Sequence, residues 1–414
     1  MSSRLLVLRA DQLIDGKGGA PVRAGEIVID GDRILHAGAS NGAALPEGAR
    51  LLEFSGATIL PGLIDTHVHL NLPGDGTLLE DAVREPEGVL VATSAFNAAR
   101  ALAAGITTVR DVGGMGNSVA HLRRALQLGH GRGAHVLCCG QPITITGGHT
   151  WYFGGEADGE ERLRRKVRDL IKHGADFIKV MASGGGTVNT MPWLPAFSRG
   201  ELGAIADEAH RQGRKVAAHC LCAAATRDAI AVGVDQIEHA GFICDAAGNQ
   251  RFEADVAEDL ARSEIPVTGT LAVGGAVIAR LRALEARSAA QEALLERWQT
   301  MLEENLDQFG RLRAAGVRFV AGTDAGWRYT RVDDLPMELS LMNRGGLSPM
   351  EAIVAATGRA AAVIGIGGDR GTLEAGKRAD AVVVGGNPLD DLAVLSAPRM
   401  VVQDGIAMTP AVFH

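Results

Sequence analysis

The chain has 414 residues and a formal net charge of −8 at pH 7, and 46% of its residues are hydrophobic while 22% are charged. This composition is typical of a folded globular protein and excludes a disordered chain. The acidic balance and the scattered basic residues argue against nucleic acid as a partner, and no run approaches the roughly 18 apolar residues of a membrane helix.

The opening stretch, MSSRLLVLRADQLIDG, lacks the apolar run and small-residue cleavage site of a secretory signal peptide. The five cysteines are an odd number without a regular spacing, which favours free thiols in a reducing compartment. We therefore expect a cytoplasmic protein that is not anchored in a membrane.

Short stretches of alternating apolar and polar residues open the chain and return at its end. The start contains RLLVLRADQLID, GEIVIDGDRILHAGA and ARLLEFSGATIL, and the end contains GTLEAGKRADAVVVGG and RMVVQDGIAM. Glycine and aspartate punctuate these stretches, as they do in β-hairpins. The pattern predicts one small β-sandwich domain assembled from residues 1–56 and 369–414.

Between these ends, residues 57–368 alternate short apolar runs with longer segments rich in alanine, arginine and glutamate. We interpret eight runs as strands, in order LPGLIDTHV, ITTVRDV, AHVLCCG, DFIKVM, KVAAH, QIEH, IPVTGT and RFVAGTD. The alternation predicts an α/β fold with parallel strands, and eight units are the number that closes a (β/α)₈ TIM barrel. An open doubly wound sheet is the alternative, but its glycine-rich fingerprint does not follow the first strand. A long stretch rich in alanine and arginine predicts one or two further helices after the seventh strand.

Two histidines, His67 and His69, end the first of these strands in PGLIDTHVHL. Alternate residues of a strand point to the same face, so these side chains could simply be polar groups at the edge of a sheet. The same geometry also lets two imidazoles converge on one metal ion. The remaining strand ends decide between these two interpretations.

Further side chains of metal-binding type end the later strands. They are Lys179 on the fourth strand, His219 on the fifth, His239 on the sixth and Asp324 on the eighth. In a barrel of parallel strands the working residues lie at the carboxyl ends of the strands. The sequence therefore predicts that six side chains from five strands form one metal centre.

Lysine is an unusual member of such a set because an ammonium has no lone pair. A buried lysine can lose its proton, and the neutral amine of Lys179 can then react with CO₂ to form a carbamate. The two carbamate oxygens could bridge two metal ions, with a bridging hydroxide as the nucleophile. Asp324 would bind one metal, hold the hydroxide and carry its proton to the leaving group.

The combination of DTHVH, GADFIKVMASGG, AAHC, IEHA and GTDAG resembles the amidohydrolase superfamily. It is most similar to a binuclear branch, the imidazolonepropionase-like Xaa-Pro and Xaa-Arg dipeptidases, over nearly the whole chain. The resemblance implies that His67, His69 and Asp324 bind one metal and that His219 and His239 bind the second. It places carboxylated Lys179 between them. Zinc is the expected metal, although Mn²⁺, Fe²⁺ and Co²⁺ suit the same ligands.

Several loop residues are candidates for substrate binding. The resemblance places a histidine near His149 that polarises the scissile carbonyl, whereas a solvated loop histidine is the alternative. Trp151, Tyr152 and Trp327 lie in loops of the same predicted face, which favours an aromatic substrate pocket over core packing.

The recognition of a substrate carboxylate rests on two further positions. Arg328 could bind a carboxylate through two hydrogen bonds, or it could form a surface salt bridge. The related dipeptidases carry a tyrosine in an HAYT-like stretch that helps to bind the carboxylate of the substrate. This chain has HCLC with Leu221 at that position, which favours a neutral amide, anilide, carbamate or urea.

We therefore expect a binuclear metal-dependent hydrolase of amide-type C–N bonds in a small-molecule substrate. The alternatives are a mononuclear deaminase or cyclic-amide hydrolase, and a lactonase or phosphotriesterase with the same bimetal site. A relative without metals that serves as a scaffold is a third alternative, and the six intact ligand positions argue against it. Assembly into a homo-oligomer is left open by the sequence.

Overall fold

The computed structural model describes residues 5–40, 42, 45 and 48–410. The ends of the predicted sandwich, residues 1–4 and 411–414, lie outside the described residues. The strands are β1 (Leu5–Leu13), β2 (Val22–Asp30), β3 (Arg33–Ala39), β4 (Arg50–Pro61), β5 (Leu63–Val68), β6 (Ile106–Asp111), β7 (His135–Cys138), β8 (Ile178–Met181), β9 (Val216–Cys220), β10 (Gln236–His239), β11 (Val267–Thr268), β12 (Phe319–Val320), β13 (Ala381–Gly385), β14 (Pro398–Gln403) and β15 (Ile406–Met408).

The helices lie mostly between the strands of the central region. They are α1 (Leu79–Ala82), α2 (Glu87–Ala103), α3 (Ser118–Gln127), α4 (Glu160–Lys172), α5 (Arg199–Arg211), α6 (Ala223–Val232), α7 (Ala254–Ser263), α8 (Ala272–Arg282), α9 (Ala289–Ala314), α10 (Leu335–Arg344), α11 (Pro349–Ala355) and α12 (Gly358–Val363). Among the described residues, none of these helices combines the length and the apolar character that crossing a membrane requires.

The two chain ends pair in one seven-stranded sheet, in the order β15-β14-β13-β4-β1-β2-β3. The pairing of β4 with β13 is antiparallel and sets Ile59 opposite Val383. Side chains alternate between the two faces along each strand. On one face the apolar side chains of this sheet pack against one another, including Leu8, Ile27 and Ile59. The intervening set of residues, such as Val382 and Leu60, packs on the central region. The alternating sequence pattern thus reflects a sheet with apolar side chains on both faces.

The central region contains eight parallel strands in two sheets, β5-β6-β7 and β12-β11-β10-β9-β8. Each of the eight apolar runs that we interpreted as strands overlaps one of these elements. Main-chain hydrogen bonds connect the sheets at both edges, from the Met181 amide to the Ile143 carbonyl at 2.9 Å and from the Asp324 amide to the His67 carbonyl at 2.9 Å. The predicted α/β class with parallel strands is confirmed.

The alanine- and arginine-rich stretch after the seventh strand forms two helices, α8 and α9. A capping box begins α9, because the Ser288 hydroxyl accepts a hydrogen bond from the Gln291 amide while the Gln291 side chain accepts one from the Ser288 amide. Leu295, Leu302 and Phe309 are buried on one face of this helix. The apolar face holds α9 against α8, beside the carboxyl ends of the later strands.

The junction between the terminal sheet and the parallel strands depends on Gly62. Its amide donates to the carbonyl of Asp380 at 3.0 Å, and an added Cβ would lie 2.2 Å from Oγ1 of Thr107 and 2.8 Å from its Cβ. We expect Gly62→Ala to lower the free energy of unfolding by about 1–3 kcal/mol, because the main chain must move to relieve the overlap. Denaturant unfolding measures this change.

Gly88 provides the matched control for this substitution. It lies in the first turn of α2 and has no atom within 4 Å of the position of an added Cβ. Gly88→Ala should leave stability unchanged or raise it slightly, since alanine is favoured in helices. Equal unfolding midpoints for the two variants would contradict the steric role of Gly62.

Candidate metal centre

Three side chains at the junction of β5 and β12 form the most compact group of donors. His67 lies near the end of β5 and His69 directly follows this strand, and both histidines are buried. Asp324 follows β12, and its Oδ1 lies 3.3 Å from Nε2 of His67 and 3.2 Å from Nε2 of His69. Suitable donor atoms of all three residues lie within 4.8 Å of one another. Two imidazoles and a carboxylate at this spacing fit one divalent metal ion.

Three more of the predicted ligands face this group from β8, β9 and β10. The ring centroids of His219 and His239 are 4.7 Å apart, and His239 lies 5.1 Å from His67. Lys179 is 1% exposed, and burial lowers the pKa of its ammonium. No residue in the described part of the chain accepts a hydrogen bond from Lys179 Nζ. The structure therefore brings all six predicted ligands together at one end of the parallel strands.

Each of the four histidines has one ring nitrogen held by the protein. Nδ1 of His67 lies 2.9 Å from Glu238 Oε2, Nδ1 of His69 lies 2.9 Å from the Gly113 carbonyl, Nδ1 of His239 lies 2.8 Å from Thr270 Oγ1, and Nε2 of His219 lies 3.1 Å from the Gly184 carbonyl. The carboxylate and carbonyl partners of His67, His69 and His219 can only accept, so they fix the tautomer and leave the lone pair of the other nitrogen for a metal, and the Thr270 hydroxyl is able to accept from His239 in the same way. The donor set fits metal binding in this respect too.

A buried ionic network below the centre holds His67 in place. Glu238 accepts hydrogen bonds from His67 Nδ1 and, at 2.6 Å, from Arg110 Nη2. Arg110 also donates to the carbonyl of Thr66 and to Oε1 of Gln236. Burial opposes ionisation of Glu238, but His67 and Arg110 outweigh it and lower the pKa of this carboxyl. Sequence reasoning missed Glu238, although a charged residue inside the apolar run QIEH was a detectable signal.

His149 lies after β7 beside the second group of ligands, with its ring centroid 4.6 Å from that of His219. Burial lowers the pKa of His149 to about 3, so the ring is neutral at neutral pH. Its Nδ1 lies 2.8 Å from Oγ1 of Thr187. A Cβ on Gly185 would lie 2.5 Å from this ring, so only glycine at position 185 permits the observed approach.

A cavity of about 230 Å³ begins at the six ligands. His149, Tyr152, Leu221 and Trp327 line it, as four of the six predicted substrate residues. The other two lie outside its lining. Trp151 is 42% exposed and borders a separate depression, and the guanidinium of Arg328 lies over the Trp327 ring at 4.5 Å.

Helix α9 forms one wall of this cavity. Trp298, Met301, Asn305 and Gln308 share one face of the helix at helical spacing, and all four line the cavity. Sequence analysis detected the helix but not its part in the site. The signal was present as apolar and amide side chains on one face of a helix that is otherwise rich in charged residues.

The sequence is similar to known enzymes over nearly its whole length. Residues 58–407 match the sequence profile described as "Amidohydrolase family". The chain is 30% identical to ochratoxinase from Aspergillus niger, over 96% of this chain and 85% of that protein. It is 25% identical to imidazolonepropionase from Caulobacter vibrioides, over 87% of this chain and 88% of that protein.

Solved structures with the same architecture extend this similarity. A Xaa-Pro dipeptidase with methionine bound in its active site is similar with a TM-score of 0.83 and 27% identity, over 98% of this chain and 99% of that chain. The crystal structure of A. niger ochratoxinase gives a TM-score of 0.80 and 27% identity, over 98% of this chain and 96% of that chain. The likeness therefore includes both the terminal sheet and the parallel strands.

The contact between Glu238 and His67 yields a test of the donor set. Glu238→Gln replaces the carboxylate by a neutral amide. The negative charge is lost, and the amide NH₂ group faces Arg110 or His67. We expect the affinity for divalent metal to fall by about 10- to 100-fold, as for other partners that orient a metal-binding histidine. Competition of Zn²⁺ between the protein and a chromogenic chelator measures this affinity.

Glu208→Gln is the control, because Glu208 is a buried carboxylate of α5 that pairs with Arg164 and Arg168 away from the centre. This variant should bind metal like the unmodified protein. Unchanged metal affinity in Glu238→Gln would show that the network does not orient His67 for a metal.

Proposed function

Because the chain belongs to the amidohydrolase family, we propose that it hydrolyses an amide-type C–N bond of a small molecule with the help of two divalent metal ions. The observation that carries the proposal is the convergence of four histidines, a lysine and an aspartate, each histidine with one nitrogen held by the protein. The relatives named ochratoxinase and Xaa-Pro dipeptidase support it, since a dipeptidase cleaves a peptide C–N bond.

We assign His67, His69 and Asp324 to one ion, and His219 and His239 to the other. Lys179, as a carbamate, would lie between the ions, and its buried Nζ without a partner among the described residues supports this role. When bound, two such ions would polarise the substrate carbonyl and provide hydroxide at neutral pH. Zinc suits these nitrogen and oxygen donors, as do Mn²⁺, Fe²⁺ and Co²⁺.

Asp324 is the proton carrier in this proposal. Burial opposes its ionisation, but His67 and the hydrogen bonds with His67 and His69 hold the pKa of this carboxyl well below its usual value. Asp324 is therefore a carboxylate, and it can accept a proton on Oδ2, because the contacts with His67 and His69 involve Oδ1. It returns that proton to the departing nitrogen, which would otherwise leave as an unstable anion.

His149 stabilises the carbonyl oxygen as negative charge develops on it. Thr187 Oγ1 accepts a hydrogen bond from the Thr150 amide at 3.0 Å, so its own proton is available for Nδ1 of His149. That arrangement puts the imidazole proton on Nε2, from which it can be donated to substrate. A neutral ring held in advance provides this hydrogen bond without reorganisation during the reaction.

A mononuclear deaminase or cyclic-amide hydrolase is the second candidate. The compact group of His67, His69 and Asp324 favours it, because these three ligands could hold a single ion without Lys179. A lactonase or phosphotriesterase could use the bimetal site, and a substrate panel separates these activities from amide hydrolysis.

The finer architecture is also part of the proposal. We infer that residues 57–368 close into a (β/α)₈ barrel, and the main-chain hydrogen bonds at both edges of the two parallel sheets support closure. We further infer that residues 1–56 and 369–414 form a β-sandwich, supported by the apolar cluster that the seven-stranded sheet encloses. A cytoplasmic location remains our expectation.

Lys179→Ala separates one-metal from two-metal chemistry. We expect about two ions per chain in the unmodified protein and at most one in this variant, because the bridging ligand is lost. Elemental analysis measures the metal, and a panel of dipeptides, N-acyl amino acids, anilides, ureas and lactones measures activity. The metal-loaded protein should cleave an amide-type bond, and chelation should abolish cleavage.

Lys172→Ala, on the exposed end of α4, is the control and should keep both ions and full activity. Two tightly held ions in Lys179→Ala would refute the bridging role. One ion in the unmodified protein together with ammonia release would favour the deaminase.

Thr187→Val tests the hydrogen bond that orients His149. Valine has a similar shape but no hydroxyl, so Nδ1 loses its donor and the proton no longer has to reside on Nε2. We expect kcat to fall about tenfold or more, towards the 10²–10³-fold loss that follows removal of such a donor. Metal content should not change, and Thr187→Ser should restore most of the activity. An unchanged kcat would contradict the assignment.

A further inference from the structure

Three carboxamide side chains form a hydrogen-bonded chain in the wall of the cavity. Nε2 of Gln308 donates to Oε1 of Gln250, and Nε2 of Gln250 donates to Oδ1 of Asn305 at 3.0 Å. All three residues line the cavity that begins at the metal ligands. We call Gln250, Asn305 and Gln308 the amide cluster.

Two separate segments of the chain supply the amide cluster. Asn305 and Gln308 are three residues apart on α9, so they lie on the same face of this helix. Gln250 belongs to the loop after β10, where it pairs with Ile243 in an antiparallel bridge. The Ile243 amide in turn donates to the Leu221 carbonyl at 2.9 Å. The loop is therefore tied to the end of β9 and holds Gln250 against the helix.

The two ends of the amide cluster carry hydrogen-bonding groups without a partner in the described part of the chain. Each carboxamide has one carbonyl and one NH₂ group. No described residue donates to Gln308 Oε1, and none accepts from Asn305 Nδ2. Neither atom is among the buried polar atoms that lack a partner, so both remain accessible. Reversal of all three carboxamides would again leave one carbonyl and one NH₂ group at the ends.

The residues around the amide cluster are apolar. Trp298, Met301, Phe309 and Leu312 line the same cavity from α9. A carboxamide in an apolar wall costs free energy unless it is paired, and a cross-link between loop and helix has no use for unpaired ends. A few polar groups in an otherwise apolar pocket fix the orientation of a ligand. The ends of the amide cluster are thus placed to contact a substrate.

The cavity offers no compensating charge beyond the metal centre. Among the described residues that line it, the only ionisable side chains besides the six predicted ligands are those of His149 and Tyr152. Burial lowers the pKa of His149 to about 3 and raises the pKa of Tyr152, so both are uncharged at neutral pH. A charged group beside α9 would lose its water without gaining a counterion.

We propose that the amide cluster binds an uncharged group of the substrate that both donates and accepts hydrogen bonds, such as a hydroxyl or a carboxamide. This inference rests on the proposed amide hydrolysis and adds the chemistry of the substrate away from the scissile bond. The scissile amide would lie at the metal centre, and the apolar part of the substrate would contact Trp298 and Trp327. The amide cluster would then select the neutral polar group.

A matched pair of anilides tests the inference. The compounds para-(hydroxymethyl)acetanilide and para-ethylacetanilide have the same shape and the same scissile amide, and they differ only in the hydroxyl. We expect kcat/KM to be about 3- to 10-fold higher for the hydroxymethyl compound, mainly through KM, as one net hydrogen bond provides. The same two substituents on N-methylbenzamide cover the opposite orientation of the amide, and the preference should be present in at least one of the two pairs.

Gln308→Met and Asn305→Leu each remove one end of the amide cluster. We expect the preference for the hydroxyl to fall to about twofold or less in either variant, because the new side chain forms no hydrogen bond. Gln299→Met is the matched control, since Gln299 lies on the same helix outside the cavity lining, and it should keep the preference. A merely structural role would lower the rates for both compounds and leave their ratio unchanged.

Gln308→Glu provides a test of opposite sign. A carboxylate still accepts from Gln250 but adds a negative charge to the cavity. We expect this variant to bind para-(aminomethyl)acetanilide, an ammonium at neutral pH, at least about tenfold more tightly than the unmodified protein does. An unchanged affinity would contradict the contact between position 308 and the substrate.

Binding is measured separately from turnover, as quenching of tryptophan fluorescence in the chelator-treated full-length protein with the same compounds. Equal affinities of the unmodified protein for both members of each pair would overturn the role of the amide cluster. So would a preference that survives in both Gln308→Met and Asn305→Leu. If the metal-loaded protein cleaves none of these amides and no other member of the panel, the proposed function fails, whereas the binding measurement still decides the role of the amide cluster.

Discussion

Ionisable side chains are buried at one end of the parallel strands, and burial there disfavours any charge that has no partner. An unpaired charge in the interior would cost several kcal/mol, so the surrounding fold has to supply hydrogen bonds. The pair of His67 with Glu238, which is itself held by Arg110, is the clearest case. Each of the four histidines has such a contact with the protein, and these contacts make the orientation of the imidazole rings a property of the fold.

The same constraint explains where the main chain departs from favourable conformations. His239, Thr270 and Asp324 all have positive φ angles, at 71°, 50° and 59°. Such conformations cost of order 1–3 kcal/mol each and survive where other contacts determine them. Hydrogen bonds between neighbouring strand ends, such as that from the Asp324 amide to the His67 carbonyl, provide those contacts. The strained main chain at the strand ends therefore lowers stability somewhat, and it lets their side chains converge.

The predicted ligands and the outer walls of the cavity come from different parts of the molecule. The strands place the donors and Asp324, whereas α9 and the loop after β12 shape the cavity beyond them. A helix on the outside of the parallel strands can change its side chains without disturbing the ligands. Trp327 and Trp298 are examples, since both line the cavity and one belongs to the loop and the other to the helix.

Sequence by itself determined the elements and the candidate ligands, because both depend on local pattern. Apolar runs bounded by helical segments predict parallel strands, and the carboxyl ends of such strands meet at one edge. His67, Lys179 and Asp324 could thus be grouped before any coordinate was known. The tertiary structure was needed to identify the residues that form hydrogen bonds to the predicted metal ligands and the residues of α9 that line the cavity. Glu238, Thr187 and Trp298 become neighbours of the site through contacts between segments far apart in the chain, and the local pattern around each residue does not show which residues it will contact.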